Sequence, residues 1–145
     1  MDQQVRDYIA EQHVAVLSIL DTTPLIYSAA LHYSFDESLP VFYFMTERQS
    51  EKCKPLLTGE ERPAAFVVGF SEEEFKTFQA RGTVKLIQGD KPEAWNNYLE
   101  KFPDRIKMHA SPEYVLLQFI PTFWKYTDNK TEPRTKITSN GVVFP

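Results

Sequence analysis

The chain has 145 residues, 42% of them hydrophobic and 14% aromatic, enough to enclose a sizeable core in a single domain spanning 1–145. Its 16 Lys and Arg against 20 Asp and Glu give a net charge of −4, which argues against a nucleic-acid binder held by overall positive charge. No apolar run is long enough to span a bilayer, and Cys53, the lone cysteine, leaves no internal disulfide, so a soluble protein in a reducing, cytoplasmic setting is expected.

The amino terminus "MDQQVRDYIAEQH" is polar and amphipathic, unlike a secretion signal, and its Val5, Tyr8 and Ile9 share one side of a short helix over 3–12. "HVAVLSIL" (13–20) reads as a strand, "DTTPL" as a turn, "IYSAALHYSFD" (26–36) as a second strand and "VFYFMT" (41–46) as a third. Connections this short cannot carry parallel crossovers, so these three strands form an antiparallel meander. "AAFVVGF" (64–70) is apolar at every position, as expected of a strand covered on both faces. After the "SEEE" hairpin tip, "FKTFQARGTVKLI" (75–87) is a long strand whose alternation breaks near Phe78 and Gly82, the mark of a bulge.

"KPEAWNNYLEKF" (91–102) places Trp95, Tyr98, Leu99 and Phe102 at helical spacing, with Pro92 near the start where proline is tolerated. "PDRIKMHA" adds a helical turn, and "EYVLLQFIPTFWKYT" (113–127) is the last strong strand, bent or at an edge because of Pro121. The tail is polar with a short apolar end suited to docking. Mainly β in an α+β arrangement, the chain reads as a six-stranded antiparallel β-barrel flanked by short helices.

Between the third and fourth strands, the apolar run ends abruptly in Thr46, followed by Ser50, Lys52 and Lys54. Ser50 suits the N-cap of a helix, and amides of the next turn together with the lysines could hold a phosphate. Pro55 would interrupt a continuous helix, so a short turn with a new helix from Pro55 is expected. An ordinary capped surface helix with solvated lysines explains the same residues.

Other chemistry is sparse. His13, His32 and His109 lack the close spacing of a zinc site, and no metal is expected. Cys53 has no histidine nearby to act as its base and reads as a buried thiol. The chain carries no G-x-S-x-G, no G-x-G-x-x-G and no G-x-x-x-x-G-K-[ST].

The order of "HVAVLSIL", "PLIYSAALHYSFDESLPVFYFMT", "S-E-K" and "TFQARGTVKLI" resembles the pyridoxamine-5′-phosphate oxidase-like family of FMN-binding split barrels, reasonably over 5–90 and loosely beyond. That resemblance implies a homodimer with one FMN in each of two clefts at the subunit interface. It implies that Ser28, Ala29, Ala30 and Leu31 run beside the flavin ring, with Met45 and Thr46 along the ribityl path and Ser50 and Lys52 at the phosphate. Thr77 and Gln79 would approach the flavin or its chain, and Trp124 would come from the last strand, often across the interface. Two positions where the vitamin B6 oxidases carry phosphate-gripping arginines are Ser28 and Glu51 here. Tyr33 stands near their substrate lysine, and their arginine-rich carboxyl-terminal segment is missing, so pyridoxamine-phosphate oxidation is not implied.

The implied function is an FMN-dependent oxidoreductase, flavin reductase-like, acting on a small molecule, with no catalytic residue singled out by the sequence. The alternatives are a non-catalytic dimeric module that binds or stores flavin, haem or the deazaflavin F420, or a scaffold with a vacant cleft. Haem would need an axial side chain, for which His32 is the first candidate.

Overall fold

Ala15, Leu17 and Ile19 are fully enclosed while Val14, Val16, Ser18 and Leu20 between them stay partly open. This period of two is what a strand with one buried face requires. In the computed structural model, which describes residues 1–143, these residues form β1 (Val14–Leu20), preceded by helix α1 (Gln3–Glu11). Strands β2 (Ile26–Asp36), β3 (Val41–Glu47), β4 (Arg62–Val68), β5 (Lys76–Leu86) and β6 (Tyr114–Asp128) follow. All pair antiparallel in the order β3-β2-β1-β4-β5-β6, and β3 also pairs with β6, closing a six-stranded barrel.

The barrel interior is packed with rings. Phe42, Phe44, Phe66, Phe78 and Phe119 interlock, mostly in tilted or edge-to-face contacts, with Tyr33 and Tyr126 in the same cluster. Such pairs add stabilisation beyond the area they bury. Val5, Tyr8 and Ile9 of α1 join this core at one end, and Cys53 and Leu56 join it from the 3₁₀ turn Glu51–Leu56 at the other. Helix α1 is capped by Asp2, whose carboxylate accepts the Gln4 amide at 2.8 Å.

A second, smaller cluster lies outside the barrel. Helix α2 (Pro92–Lys101) lays Ala94 and Tyr98, with Phe102 beyond its end, against Val41, Tyr43, Met45 and Leu116 on the outer faces of β3 and β6. The short helix α3 (Ile106–His109) leads back into β6.

The expected elements are present, with four differences. The bulge falls between Arg81 and Gly82, where β6 carries Pro121, while Phe78 sits in regular strand and is fully buried. A Cβ at Gly82 would lie 2.0 Å from the Ile120 carbonyl oxygen, so the two backbones approach here as only glycine permits. The segment after Ser50 is one six-residue 3₁₀ helix running through Pro55, with no second helix beginning there. The polar tail adds a hairpin, β7 (Thr135–Thr138) and β8 (Gly141–Val143), laid on β6, which the weak hydrophobic pattern of "TKITSNGVV" does not announce. Residues 144 and 145 of the apolar end lie outside the described residues. The fourth difference concerns β4: Ala65 is exposed and Val67 only half-buried, so its outer face is apolar yet uncovered in a single chain. No helix among the described residues is long and apolar enough to cross a membrane.

Candidate functional site

The β2–β3 ladder runs only from Tyr33↔Phe44 to Asp36↔Val41. Beyond it, residues 26–32 of β2 remain paired with β1 on one side, but β3 turns away to pair with β6. The barrel wall therefore splits, and backbone groups on that edge of β2 have no strand to bond. The 3₁₀ turn packs beside this open half-edge. Ser28, Ala29, Ala30 and Leu31 all lie on it. Ser28 and Ala30 point outward and are exposed, whereas Leu31 packs against the barrel core. Small side chains at 28–30 leave room for a flat molecule to approach the backbone.

The hydroxyl and lysine cluster is arranged differently from expectation. The Ser50 side chain makes no cap: its Oγ donates back to the Glu47 carbonyl at 2.8 Å and lies 3.4 Å from the Cys53 Sγ. Lys54 donates to Glu51 at 2.9 Å, leaving Lys52, half-buried, as the cation of the turn without a carboxylate partner among the described residues. Thr46 and Met45 are nearly closed off, at 6% and 7% exposure. Met45 faces the α2 cluster, away from the barrel interior, so only its backbone is available to a ligand on the split side. The part of this corner open to an anion is therefore Lys52 and the first amides of the turn; Ser50 could join them only by turning its proton away from the Glu47 carbonyl.

Thr77 and Gln79 occupy the same side of β5, and Gln79 is exposed. Register carries this face across the sheet. Ala30, Val16, Val67, Gln79 and Lys125 stand in one row; Ser28, Ser18, Ala65, Arg81 and Phe123 stand in the next. The Ser28 and Ser18 hydroxyls are 2.7 Å apart, and the Arg81 guanidinium lies 4.7 Å from the centre of the Phe123 ring. Ala30 and Gln79 are thus three strand spacings apart, roughly 14 Å. Trp124 points to the other side of β6, stacked on Phe78 at 5.8 Å. One chain sets the 3₁₀ turn that Ser50 opens and that carries Lys52 against β2, the strand of Ser28 and Ala30; Gln79 lies across the sheet from them, and Trp124 points away from this face. The row residues Arg81, Phe123 and Ser18 escape a reading of the sequence because pairing register, absent from composition, is what aligns them.

The remaining candidates have structural partners. Arg105 donates to His32 Nδ1 at 3.1 Å. A guanidinium can only donate, so Nδ1 is the bare nitrogen and neutral His32 carries its proton on Nε2. Burial, with the nearby Arg105 and His13, lowers the His32 pKa. His13 and His32 both set an edge against Phe102, and His109 stacks on Trp95 at 4.5 Å. Tyr33 is buried and donates to the Ile9 carbonyl at 2.6 Å, and Cys53 is fully buried. Among the described residues no group of three or more metal-ligating side chains converges.

No protein-family model matches the chain, and no curated protein matches it in sequence. Solved structures do match in shape. A pyridoxamine 5′-phosphate oxidase-related, FMN-binding protein from Nostoc punctiforme is 15% identical, with a TM-score of 0.64 over 92% of this chain and 87% of that one. HutZ, the heme storage protein from Vibrio cholerae, is 9% identical, with a TM-score of 0.66 over 83% and 89%. A heme-binding protein from Mycobacterium smegmatis is 12% identical, with a TM-score of 0.71 over 95% of this chain and 57% of that chain. At these identities the likeness concerns the backbone. The closed six-stranded ring, its split at β2 and its structural neighbours together give this chain the split-barrel fold of the pyridoxamine-5′-phosphate oxidase-like proteins.

Proposed function

We propose that the protein is an FMN-binding flavoprotein that works as a homodimer and serves as an oxidoreductase on a small molecule. The observation that carries this reading is the open half-edge of β2 beside the 3₁₀ turn that holds Ser50 and Lys52. Unpaired backbone groups suit the polar rim of a flavin ring. A lysine without a carboxylate partner among the described residues, beside the first amides of the turn, suits a phosphate tail, which Ser50 would join by releasing the Glu47 carbonyl. FMN, when bound, would supply the hydride and electron chemistry; the chain's part is to orient it, hold its phosphate and exclude water. Ile26, 70% exposed, together with Val16, Ala65 and Val67, makes an apolar outer face that a second copy would cover. In such a dimer Gln79 of one copy would approach the cofactor of the other, while Trp124 stays in its own barrel, stacked on Phe78.

Haem is the second reading, favoured by two neighbours named for it. The donor set here suits haem less well. His32 already spends Nδ1 on Arg105 and keeps a proton on Nε2, so neither nitrogen offers an axial lone pair without breaking that contact. Replacing both Ser50 and Lys52 with Ala should weaken FMN far more than riboflavin, which has no phosphate. Equal loss for the two ligands would remove the phosphate assignment, and a Soret band with no flavin spectrum in the purified protein would favour haem.

A further inference from the structure

This inference rests on the dimeric FMN reading above. A phosphate monoester carries a charge of nearly −2 at neutral pH. The turn beside β2 offers one uncommitted cation, Lys52, because Lys54 is paired with Glu51. At least one more positive group is wanted. Arg81 is exposed, has no carboxylate partner among the described residues, and is held over the Phe123 ring at 4.7 Å. It lines a groove of about 410 Å³ on the outer face of the barrel, with Val16, Ser18, Val67, Gln79 and Lys125. Neither Arg81 nor Lys125 has an acid of its own on this face, so the β5–β6 rim is cationic while the β2 rim, Ser28 and Ala30, is neutral.

That asymmetry selects how two copies would meet. A two-fold axis perpendicular to the strands sets like rims together and opposes the cations of both copies, which is unfavourable. An axis parallel to the strands sets each cationic rim against the partner's Ser28–Ala30 rim, where Arg81 and the partner's single Lys52 would converge on the phosphate between them. The small residues at the middle of the face, Val16 and Ser18 on β1 with Ala65 and Val67 on β4, are its natural centre. With the axis passing there, Arg81 stands one and a half strand spacings from the centre, as Ser28 does on the other side. Rotation therefore brings Arg81 over Ser28 of the facing copy, and Gln79 over its Ala30. Because a closed barrel curves its sheet away from the contact, the rims stay apart and leave a wedge for a flat ligand.

We propose that Arg81 completes the phosphate site in trans: the guanidinium of one copy faces the Ser28–Lys52 corner of the other and supplies its second cation. Arg81→Ala should raise the FMN dissociation constant at least tenfold while changing riboflavin less than threefold, and Ser28→Arg in the same chain should restore FMN binding from the other side of the cleft. The decisive experiment mixes two impaired chains, Arg81→Ala and the Ser50→Ala/Lys52→Ala double variant, and purifies the mixed dimer by two affinity tags. Sharing in trans gives one corner with both cations and one with neither, so the mixed dimer should bind one FMN per two chains with wild-type affinity. Two equally weak sites would overturn the inference while leaving the FMN reading intact. A wild-type chain that sediments as a monomer, or fails to quench FMN fluorescence, would overturn the reading beneath it as well.

Discussion

Phe66 sits at the crossing point of the barrel's rings, 3% exposed, with Phe42 at 4.8 Å, Phe119 at 4.9 Å, Phe44 at 5.5 Å, Phe78 at 5.7 Å and Tyr33 at 6.3 Å between ring centres. Truncating a buried phenylalanine to alanine costs about 3–5 kcal/mol, through lost burial and the cavity left behind. Five ring neighbours, held on four different strands, cannot collapse into that space, which puts Phe66→Ala near ~4 kcal/mol. That is roughly a thousandfold in the folded-to-unfolded ratio and about a third or more of the stability of an ordinary domain. With a urea slope of about 2 kcal/mol per molar, the midpoint should fall by about 2 M. Phe66→Leu keeps most of the volume and should lose only about 1.5 kcal/mol. Urea unfolding followed by tryptophan fluorescence, with circular dichroism as a second probe, measures both. A loss below ~1.5 kcal/mol for Ala, or equal losses for Ala and Leu, would refute the jammed-ring account of the core.

Two further outcomes follow from packing and charge. Gly82→Ala drives a methyl into the Ile120 carbonyl, backbone against backbone at 2.0 Å, and should destabilise by about 3 kcal/mol or prevent folding; thermal melts that match wild type would show that the bulge relaxes freely. Burial draws the Lys101 ammonium down to about 8 from 10.5, although it donates to the Gln12 carbonyl at 2.5 Å and lies 4.2 Å from the Tyr33 ring centre. Between those two values the unfolded chain binds more protons than the folded one, so stability should rise with pH. Burial pushes Tyr8 up to about 12 and raises Tyr33 further still. From about pH 10 upward the unfolded chain gives up tyrosine protons that the folded chain keeps, and stability should fall. Urea midpoints should therefore crest between about pH 9 and 10, and Lys101→Met should flatten the rising limb; a midpoint that declines steadily from pH 8 in wild type would contradict this.

Strands announced by strong alternation or by unbroken apolar runs are all legible in the sequence, from "HVAVLSIL" to "EYVLLQFIPTFWKYT", because burial dictates their spelling. The tail hairpin is not, since β7 and β8 lie on the sheet's end where polar residues are tolerated. The uninterrupted apolar spelling of β4 has a second cause besides burial within one chain: Ala65 and Val67 form an uncovered outer face. At the candidate site, the position of Ser50 and Lys52 follows from the abrupt end of "VFYFMT". What their side chains do does not follow, because Ser50 is drawn to the Glu47 carbonyl and Lys54 to Glu51 by contacts three residues apart that compete with a ligand. Met45 and Thr46 share a strand with the site, yet strand alternation and the packing of α2 close both off. Arg81 is invisible before pairing register aligns it with Ser28.

The proposed function stands or falls with a phosphate-bearing flavin bound at the split between β2 and β3. Parallel titrations of FMN and riboflavin into the wild-type protein, read by quenching of flavin fluorescence, test it most directly. FMN should saturate at one per chain, with riboflavin bound about tenfold to a hundredfold more weakly, the worth of a charge-assisted phosphate contact. Identical affinity for the two, or no saturable quenching while haemin titrates to one equivalent, would contradict it.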